Sequence, residues 1–442
     1  VDLSQWLYKI QALHPHEIEF GLERIRTVAD RLGVKKPSGC VITVAGTNGK
    51  GSTVAMLDAV LSASGYRVGT YTSPHLLHYN ERIRVFGQCA SDKAICESFA
   101  RIEAVRGEIS LTYFEFSTLA ALLIFAEARP DVVVLEVGLG GRLDAVNIVD
   151  PDLAIVSSIG IDHQDWLGDS RELIGKEKAG IFRAHIPVVC GDPDPPESLL
   201  AAAKKLDAPV YLQGIDFGFI ECGSFWHWWG RSKEGVSVHM DHLPWPALDL
   251  LNAATVIQAL QLASVTVSKS AIAKGLDGFG LQGRYQLLQG LLHGLMCRAD
   301  VAHNPHAARL LAEKVSGTRQ QMGSQNRVRA VLAMMADKDH AGFYRALESV
   351  VDIWYIAAFA EPRCQDANLL SNTLKHVGAR VEGTFPSVAE ALTQACGDAD
   401  QGDLILVTGS FVTVAELMRY IASIHLSAPI GDLDTSVGNR HK

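Results

Sequence analysis

The chain has 442 residues, which at about 150 residues per domain favours two or three domains. Hydrophobic residues make up 48% and charged residues 20%, with a mean hydropathy of +0.12, so disorder is excluded as the main theme. Forty Lys and Arg stand against 49 Asp and Glu, formally −9, which argues against a broad nucleic-acid surface but allows a local basic pocket for an anion. Eight cysteines (40, 89, 96, 190, 222, 297, 364 and 396) form no CxxC pair, which points to free thiols in a reducing compartment. No apolar run reaches the roughly 18–20 residues of a membrane span. Nothing near Val1 has signal-peptide architecture, so the cytoplasm is the expected location, with no membrane partner.

In chain order, residues 1–38 read as helix followed by loop. Cys40–Ala45 is a short apolar, β-branched run ending in a glycine-rich turn, and residues 52–64 carry helical spacing at Val54, Leu57, Val60 and Leu61. Leu119–Ala128 predicts helix, while Asp131–Val137, Leu153–Ser158 and Pro187–Cys190 predict buried strands with apolar cores. Helices alternating with such strands indicate a mostly parallel sheet covered on both faces. Between about 215 and 247 the texture suggests an antiparallel hairpin, in which Phe225, Trp226, Trp228 and Trp229 either pack the sheet or offer a stacking platform for bases. Asn252–Ala263 predicts another helix. A second α/β block begins near 290, with strands at Val328–Met334, Val351–Ala357 and Asp403–Val407. The fold class is therefore α/β, with domains at 1–288 and 289–427 and a frayed tail at 428–442.

The sharpest local signal is the run Gly46-Thr47-Asn48-Gly49-Lys50-Gly51-Ser52-Thr53 between a strand and a helix. Glycines let backbone N–H groups turn toward phosphate oxygens, and the helix start adds partial positive charge. Lys50 can reach the outer phosphates, and Ser52 or Thr53 offers a hydroxyl to phosphate or metal. It is not a strict Walker A, because Val44 and Gly51 stand where that pattern wants Gly and Ser or Thr. Glu136 ends an apolar strand before Gly138-Leu139-Gly140-Gly141, where open α/β sheets place ligands. It can hold Mg²⁺ or be a structural, ion-paired glutamate. Ser157–Asp165 is another strand end, where His163 taken alone reads as a capping or buried histidine. Lys176-Glu177-Lys178 reads by charge as a solvated helix face.

In order, GTNGKGST, TSPHLLHYNERIRV (72–85), LEVGLGGRLDAVN (135–147), SIGIDH (158–163), KEKAGIF (176–182), GRYQ (283–286), DVAHNPHA (300–307) and TGSF (408–411) closely resemble the Mur ligase superfamily. Within it they resemble the family of bifunctional bacterial dihydrofolate synthases/folylpolyglutamate synthases, over about residues 5–425. The resemblance implies ATP-dependent amide ligation, a Rossmann-like P-loop ATPase domain, a smaller C-terminal α/β domain and a cleft between them. It assigns Thr47, Asn48, Gly49, Lys50, Gly51 and Ser52 to the triphosphate. It assigns Ser73, Glu136 and His163 to Mg²⁺, and Lys178 to a carbamylated lysine beside a second Mg²⁺. Asn252, Arg284 and Asp300 match ATP-contacting positions, the last two approaching from across the domain seam. His303 and Ser410 fall in segments lining the amino-acid side. The dihydropteroate pocket maps onto Glu19, Phe20, Gly21, Thr112, Tyr113, Phe114, Glu115, Leu143, Asp144 and Ala145. There aromatics can stack on the pterin, and a carboxylate suits its N–H groups. Taken alone, Thr112 would be a helix cap with core aromatics behind it. Arg82 follows the Ser73-Pro74-His75 loop and suits contact with a carboxylate.

The implied substrates are dihydropteroate, reduced folates and L-glutamate, used by a monomer. Ser52 and Gly160 depart from the commonest family pattern. The alternatives are another Mur-type ligase acting on a UDP-linked peptidoglycan precursor, a catalytically silent pterin or nucleotide binder, and a P-loop motor or switch.

Overall fold

The computed structural model describes residues 1–14, 19–34, 36–277, 280–288 and 295–427. It divides into two compact units, Val1–Arg284 and Tyr285–Lys442. The division precedes the expected one at 288, because Gln286–Leu288 pairs antiparallel with Met296–Asp300 and so belongs to the second sheet. The tail at 428–442 lies outside the described residues.

In the first unit, among the described residues, one sheet runs in the order Gln88–Cys89, Ile83–Val85, Val68–Tyr71, Val132–Glu136, Cys40–Ala45, Leu153–Val156, Val188–Cys190 and Val210–Leu212. The strands from Val68–Tyr71 to Val210–Leu212 pair in parallel, and the first two attach antiparallel. Alternate residues of each central strand enter cores on opposite faces. Val41, Val133, Leu135, Ala154 and Val156 meet Phe116 and Leu119 on one side. Ile42, Val44, Val134 and Ile155 meet Val60, Leu61 and Ile257 on the other. Each fully buried Val or Ile contributes about 1.5–3 kcal/mol, which is why these strands carry no polar alternation.

Four local expectations change. Residues 1–38 hold two helices, Leu3–Gln11 and Glu23–Leu32, the second ended by Gly33 in the left-handed region. The helix expected from Leu119 begins at Tyr113, because Thr112 and Glu115 form a capping box at its start. The expected hairpin is a three-stranded antiparallel sheet, Gly218–Cys222, Phe225–Arg231 and Ser237–Leu243. In it Trp226 and Trp228 are wholly buried, and their indole N–H groups donate to Pro244 and Ala254 carbonyls. These two tryptophans therefore pack the sheet and offer no face for stacking. The helix expected at Asn252 runs Leu250–Leu262, capped by Asp249.

In the second unit, among the described residues, the sheet order is Gln286–Leu288, Met296–Asp300, Leu404–Thr408, Val328–Leu332, Ile353–Ala357 and Val381–Phe385. All but the first pair are parallel. All eight cysteines are free thiols. Among the described residues no helix is long and apolar enough to cross a membrane.

Candidate active site

The first unit gathers its chemistry where neighbouring parallel strands end. Val44 pairs with Glu136, Tyr71 with Leu135 and Ala45 with Val156, so the segments that follow these strands emerge side by side. They carry Gly46–Ser52, Ser73, Glu136–Asp144 and Ser157–His163. This is the edge at which parallel sheets bind ligands.

The glycine-rich loop is interlocked with the 157–160 segment. The Thr47 amide donates to the Ser158 carbonyl at 2.7 Å, and the Asn48 amide to Ser158 Oγ at 3.2 Å. Thr47 Oγ1 lies 3.0 Å from both the Gly160 carbonyl and the Gly160 amide. Those two amides are thus engaged by protein. The first-turn amides of Lys50, Gly51 and Ser52 are the ones that helix geometry leaves for an anion. Thr53 is wholly buried, so Ser52 is the better placed of the two hydroxyls. Gly49 has φ +83°, and a Cβ there would lie 2.6 Å from Asn252 Oδ1, which places Asn252 against the loop. A Cβ on Gly51 would lie 3.8 Å from both an Arg284 guanidinium nitrogen and a Glu136 oxygen. Arg284 therefore belongs to the first unit and sits beside the loop, rather than approaching from across a seam.

Lys50 Nζ donates to the Gly46 carbonyl at 3.0 Å. Its enclosure holds the ammonium below its ordinary range, while Glu136, Asp162 and Asp144 act in the opposite sense. Burial raises the Glu136 carboxyl, opposed by Lys50 and by the Ser73 amide, which donates to Glu136 Oε2 at 3.1 Å. Ser73 and Glu136 are thus adjacent hard oxygen donors beside the phosphate loop. Among the described residues no group of three or more His, Cys, Asp or Glu could cage an ion. These donors fit Mg²⁺, which keeps most of its ligands as water and phosphate oxygens. His163 is exposed, with φ +51°, and its amide donates to Asp162 Oδ1 at 2.9 Å.

Lys178 overturns the reading by charge alone. It is the last residue of the Arg171–Lys178 helix and is 2% exposed. Gly141 permits the burial, since a Cβ there would lie 2.9 Å from the Glu177 carbonyl and 3.1 Å from that of Lys178. Burial, with the charge of Lys50 adding to it, pushes the Lys178 amine down to about 7.

A second cluster lies around Phe114. Its ring covers Gly138 and stands 5.8 Å from the Tyr71 ring. Phe20 meets Trp166 edge to face at 5.4 Å. Asp144 accepts from the Leu139 and Val146 amides at 2.9 and 3.1 Å, and burial pushes it up to about 7. Next to Asp144, Ala145 is buried and Leu143 half-buried. Both Glu115 oxygens are engaged, one by the Thr112 amide at 2.8 Å and one by Arg24 at 3.1 Å. Arg24 also pairs with Glu19, which meets His14 at 3.0 Å, and Gly21 continues that segment. Arg82 is buried over the rings of Tyr79 and Tyr113, with Nε donating to His75 Nδ1 at 2.9 Å. Sequence reasoning missed Arg24, Asp162 and Trp166. Arg24 and Trp166 belong to no pattern, whereas Asp162 stood inside a quoted motif.

In the second unit, Asp300 ends its strand and accepts from the Ala302 and Tyr285 amides, each at 2.8 Å. His303 Nδ1 is 3.0 Å from the Val301 carbonyl. Ser410 Oγ accepts from the Thr413 amide at 3.0 Å at the start of the Phe411–Ser427 helix.

A glycine-rich loop between strand and helix in one α/β unit, followed by a second, smaller α/β unit, is the layout of a two-domain nucleotide-binding protein. Residues 44–218 match the Mur ligase middle domain, and 283–411 match the Mur ligase glutamate ligase domain. The dihydrofolate synthase/folylpolyglutamate synthase of Escherichia coli strain K12 is 46% identical over 419 residues, covering 95% of each chain. A solved structure of Escherichia coli FolC in complex with DHPP and ADP aligns with a TM-score of 0.89 and 45% identity, over 96% of this chain and 99% of that one. A bifunctional folylpolyglutamate synthase/dihydrofolate synthase with Mn, AMPPNP and L-glutamate bound aligns with a TM-score of 0.87 and 46% identity, over 96% and 98%. The chain belongs to the dihydrofolate synthase/folylpolyglutamate synthase family of Mur ligases.

Proposed function

We propose that this chain joins L-glutamate to dihydropteroate, forming dihydrofolate, and to reduced folates, forming folylpolyglutamates, with ATP as co-substrate. The observation that carries the reading is the glycine-rich loop with Lys50 at its helix start, where a Cβ on Gly51 would lie 3.8 Å from a Glu136 oxygen, with the Phe114 ring covering Gly138 two residues beyond Glu136. A carboxylate is a poor electrophile and does not condense with an amine at neutral pH. Attack of one carboxylate oxygen on the γ-phosphorus, with ADP leaving, converts it to an acyl phosphate. Lys50 and the first-turn amides stabilise the charge that develops on the phosphoryl oxygens. The glutamate amine then attacks the acyl carbon, loses a proton, and phosphate leaves.

Ser73, Glu136 and His163 would hold one Mg²⁺, and Lys178 as a carbamate a second; bound there, Mg²⁺ would neutralise phosphate charge. The carbamate forms when the neutral amine adds CO₂ and releases one proton, and an amine pushed down to about 7 supplies that neutral form. Asn252, Arg284 and Asp300 are assigned to ATP, and His303 and Ser410 to glutamate. Phe20 and Phe114 would flank the pterin. Asp144 and Glu115 retain lone pairs for its N–H donors, and Arg82 would meet substrate carboxylate. A cytoplasmic monomer completes the reading.

Phosphate release with ATP, Mg²⁺ and L-glutamate, plus either dihydropteroate or tetrahydrofolate, tests it. Glutamate-dependent turnover with both acceptors is expected. Turnover with tetrahydrofolate alone would remove the pteroate assignment of Thr112–Glu115, and silence with both would favour a peptidoglycan-type ligase or a silent binder. A Cβ at Gly138 would sit 2.6 Å from Phe114 Cζ, so Gly138→Ala must push the ring out of place. Its KM for dihydropteroate is expected to rise about tenfold, with the KM values for ATP and glutamate unchanged in steady-state assays.

A further inference from the structure

The segment that grips the phosphate loop is itself held from behind by side chains to which the reaction above gives no role. Asp192, 5% exposed, accepts from the Ile159 amide through Oδ2 at 2.7 Å. Arg171 Nε donates to the Ile159 carbonyl at 3.1 Å. Both polar groups of one backbone residue are therefore fixed by this pair. The same guanidinium reaches Asp192 Oδ1 at 3.1 Å and Asp194 Oδ2 at 2.9 Å, and it also donates to the Asp194 carbonyl. Asp192 Oδ1 accepts in addition from the Asp194 amide at 3.0 Å.

Ile159 stands between the two residues that engage the glycine-rich loop, Ser158 on Thr47 and Asn48, and Gly160 on Thr47. Four residues beyond Ile159 lies His163. Arg171 is also the first residue of the helix whose last residue is Lys178. One side-chain pair thus ties together the phosphate loop, the segment carrying His163 and the helix carrying Lys178. A loop left unbraced would have to be ordered at every binding event, which lowers affinity without removing any ligand contact.

We propose that Arg171 and Asp192 are positioning residues for the nucleotide: they fix residues 157–163 against the phosphate loop and so preset it for the phosphates. The proposal rests on the nucleotide-site reading above. The Asp194 side chain is 89% exposed and that of Asp192 is 7% exposed, which separates a rim partner of Arg171 from the bracing one. Lysine in place of Arg171 keeps the charge but cannot reach the Ile159 carbonyl and both carboxylates at once. Asparagine in place of Asp192 keeps the shape while removing the charge from a buried hydrogen-bonded group.

The test is calorimetric titration of ADP, in buffer containing Mg²⁺, into the full chain as wild type, Arg171→Lys, Asp192→Asn and Asp194→Ala, with the melting temperature and the KM for L-glutamate of each. Arg171→Lys and Asp192→Asn are expected to weaken ADP binding by about tenfold or more, at unchanged KM for glutamate and on protein that is folded at the assay temperature. Asp194→Ala is expected to bind like wild type. ADP affinities of Arg171→Lys and Asp192→Asn equal to wild type would overturn the proposal. So would a loss that is matched in the KM for glutamate, because a merely structural pair would move both. Wild-type protein that fails to bind ADP would instead overturn the nucleotide reading itself, and the proposal with it.

Discussion

Lys50→Ala is expected to lower kcat for dihydrofolate formation by about 10³-fold while leaving the protein folded and as stable as before. The ammonium is enclosed at the start of the Lys50–Ala63 helix, and burial holds it below its ordinary range. Glu136, Asp162 and Asp144 favour the charge but do not offset its desolvation, so on balance the ammonium costs the folded state free energy. Its retention there needs a functional reason, and developing charge on a transferred phosphoryl group is one. The variant is expected to melt at or above the wild-type temperature. Phosphate release, measured alongside thermal melting, checks both halves. Loss of activity with a matching loss of stability would make Lys50 structural.

Lys178→Met is expected to lower kcat by about 10²-fold or more and to raise the melting temperature by about 2–5 °C in CO₂-free buffer. Lys178 is buried and its amine is pushed down to about 7, chiefly by burial and then by Lys50. The sign of the pH dependence follows. Between about 7 and the ordinary lysine value of 10.5 the unfolded chain holds a proton that the folded chain has released. Stability therefore rises with pH through that window, and below it the full cost of a buried ammonium is present. Methionine should flatten this rise. Denaturant unfolding of both proteins from pH 6 to 10 checks the slope. A ¹³C-carbamate resonance in wild type supplied with labelled CO₂, absent from Lys178→Met, checks the modification. An unlabelled, fully active wild type would remove the carbamate from the account.

What the sequence revealed depended on how local each feature is. The Gly46–Thr53 run announces itself because strand, glycines, lysine and helix are contiguous, and the structure bears out that layout. The apolar strands were readable because burial on both faces leaves no polar alternation. Lys178 was not readable from charge, since KEK looks solvated. Its burial depends on Gly141 coming close to the helix end, a contact between segments 37 residues apart in the chain (178 − 141). The same reason hides Arg24, whose partner Glu115 is 91 residues away, and the Arg171–Asp192 pair. The involvement of the Thr47 and Asn48 amides with Ser158 also needed the fold, because a loop motif does not say which of its N–H groups a neighbouring strand will take.

The most direct test of the account is single-turnover dihydrofolate synthesis from dihydropteroate labelled with ¹⁸O in its carboxylate. The expected result is inorganic phosphate carrying one ¹⁸O for each dihydrofolate formed, because the attacking carboxylate oxygen leaves with the phosphate. Unlabelled phosphate, or label in AMP, would contradict the acyl-phosphate route and with it the role given to Lys50.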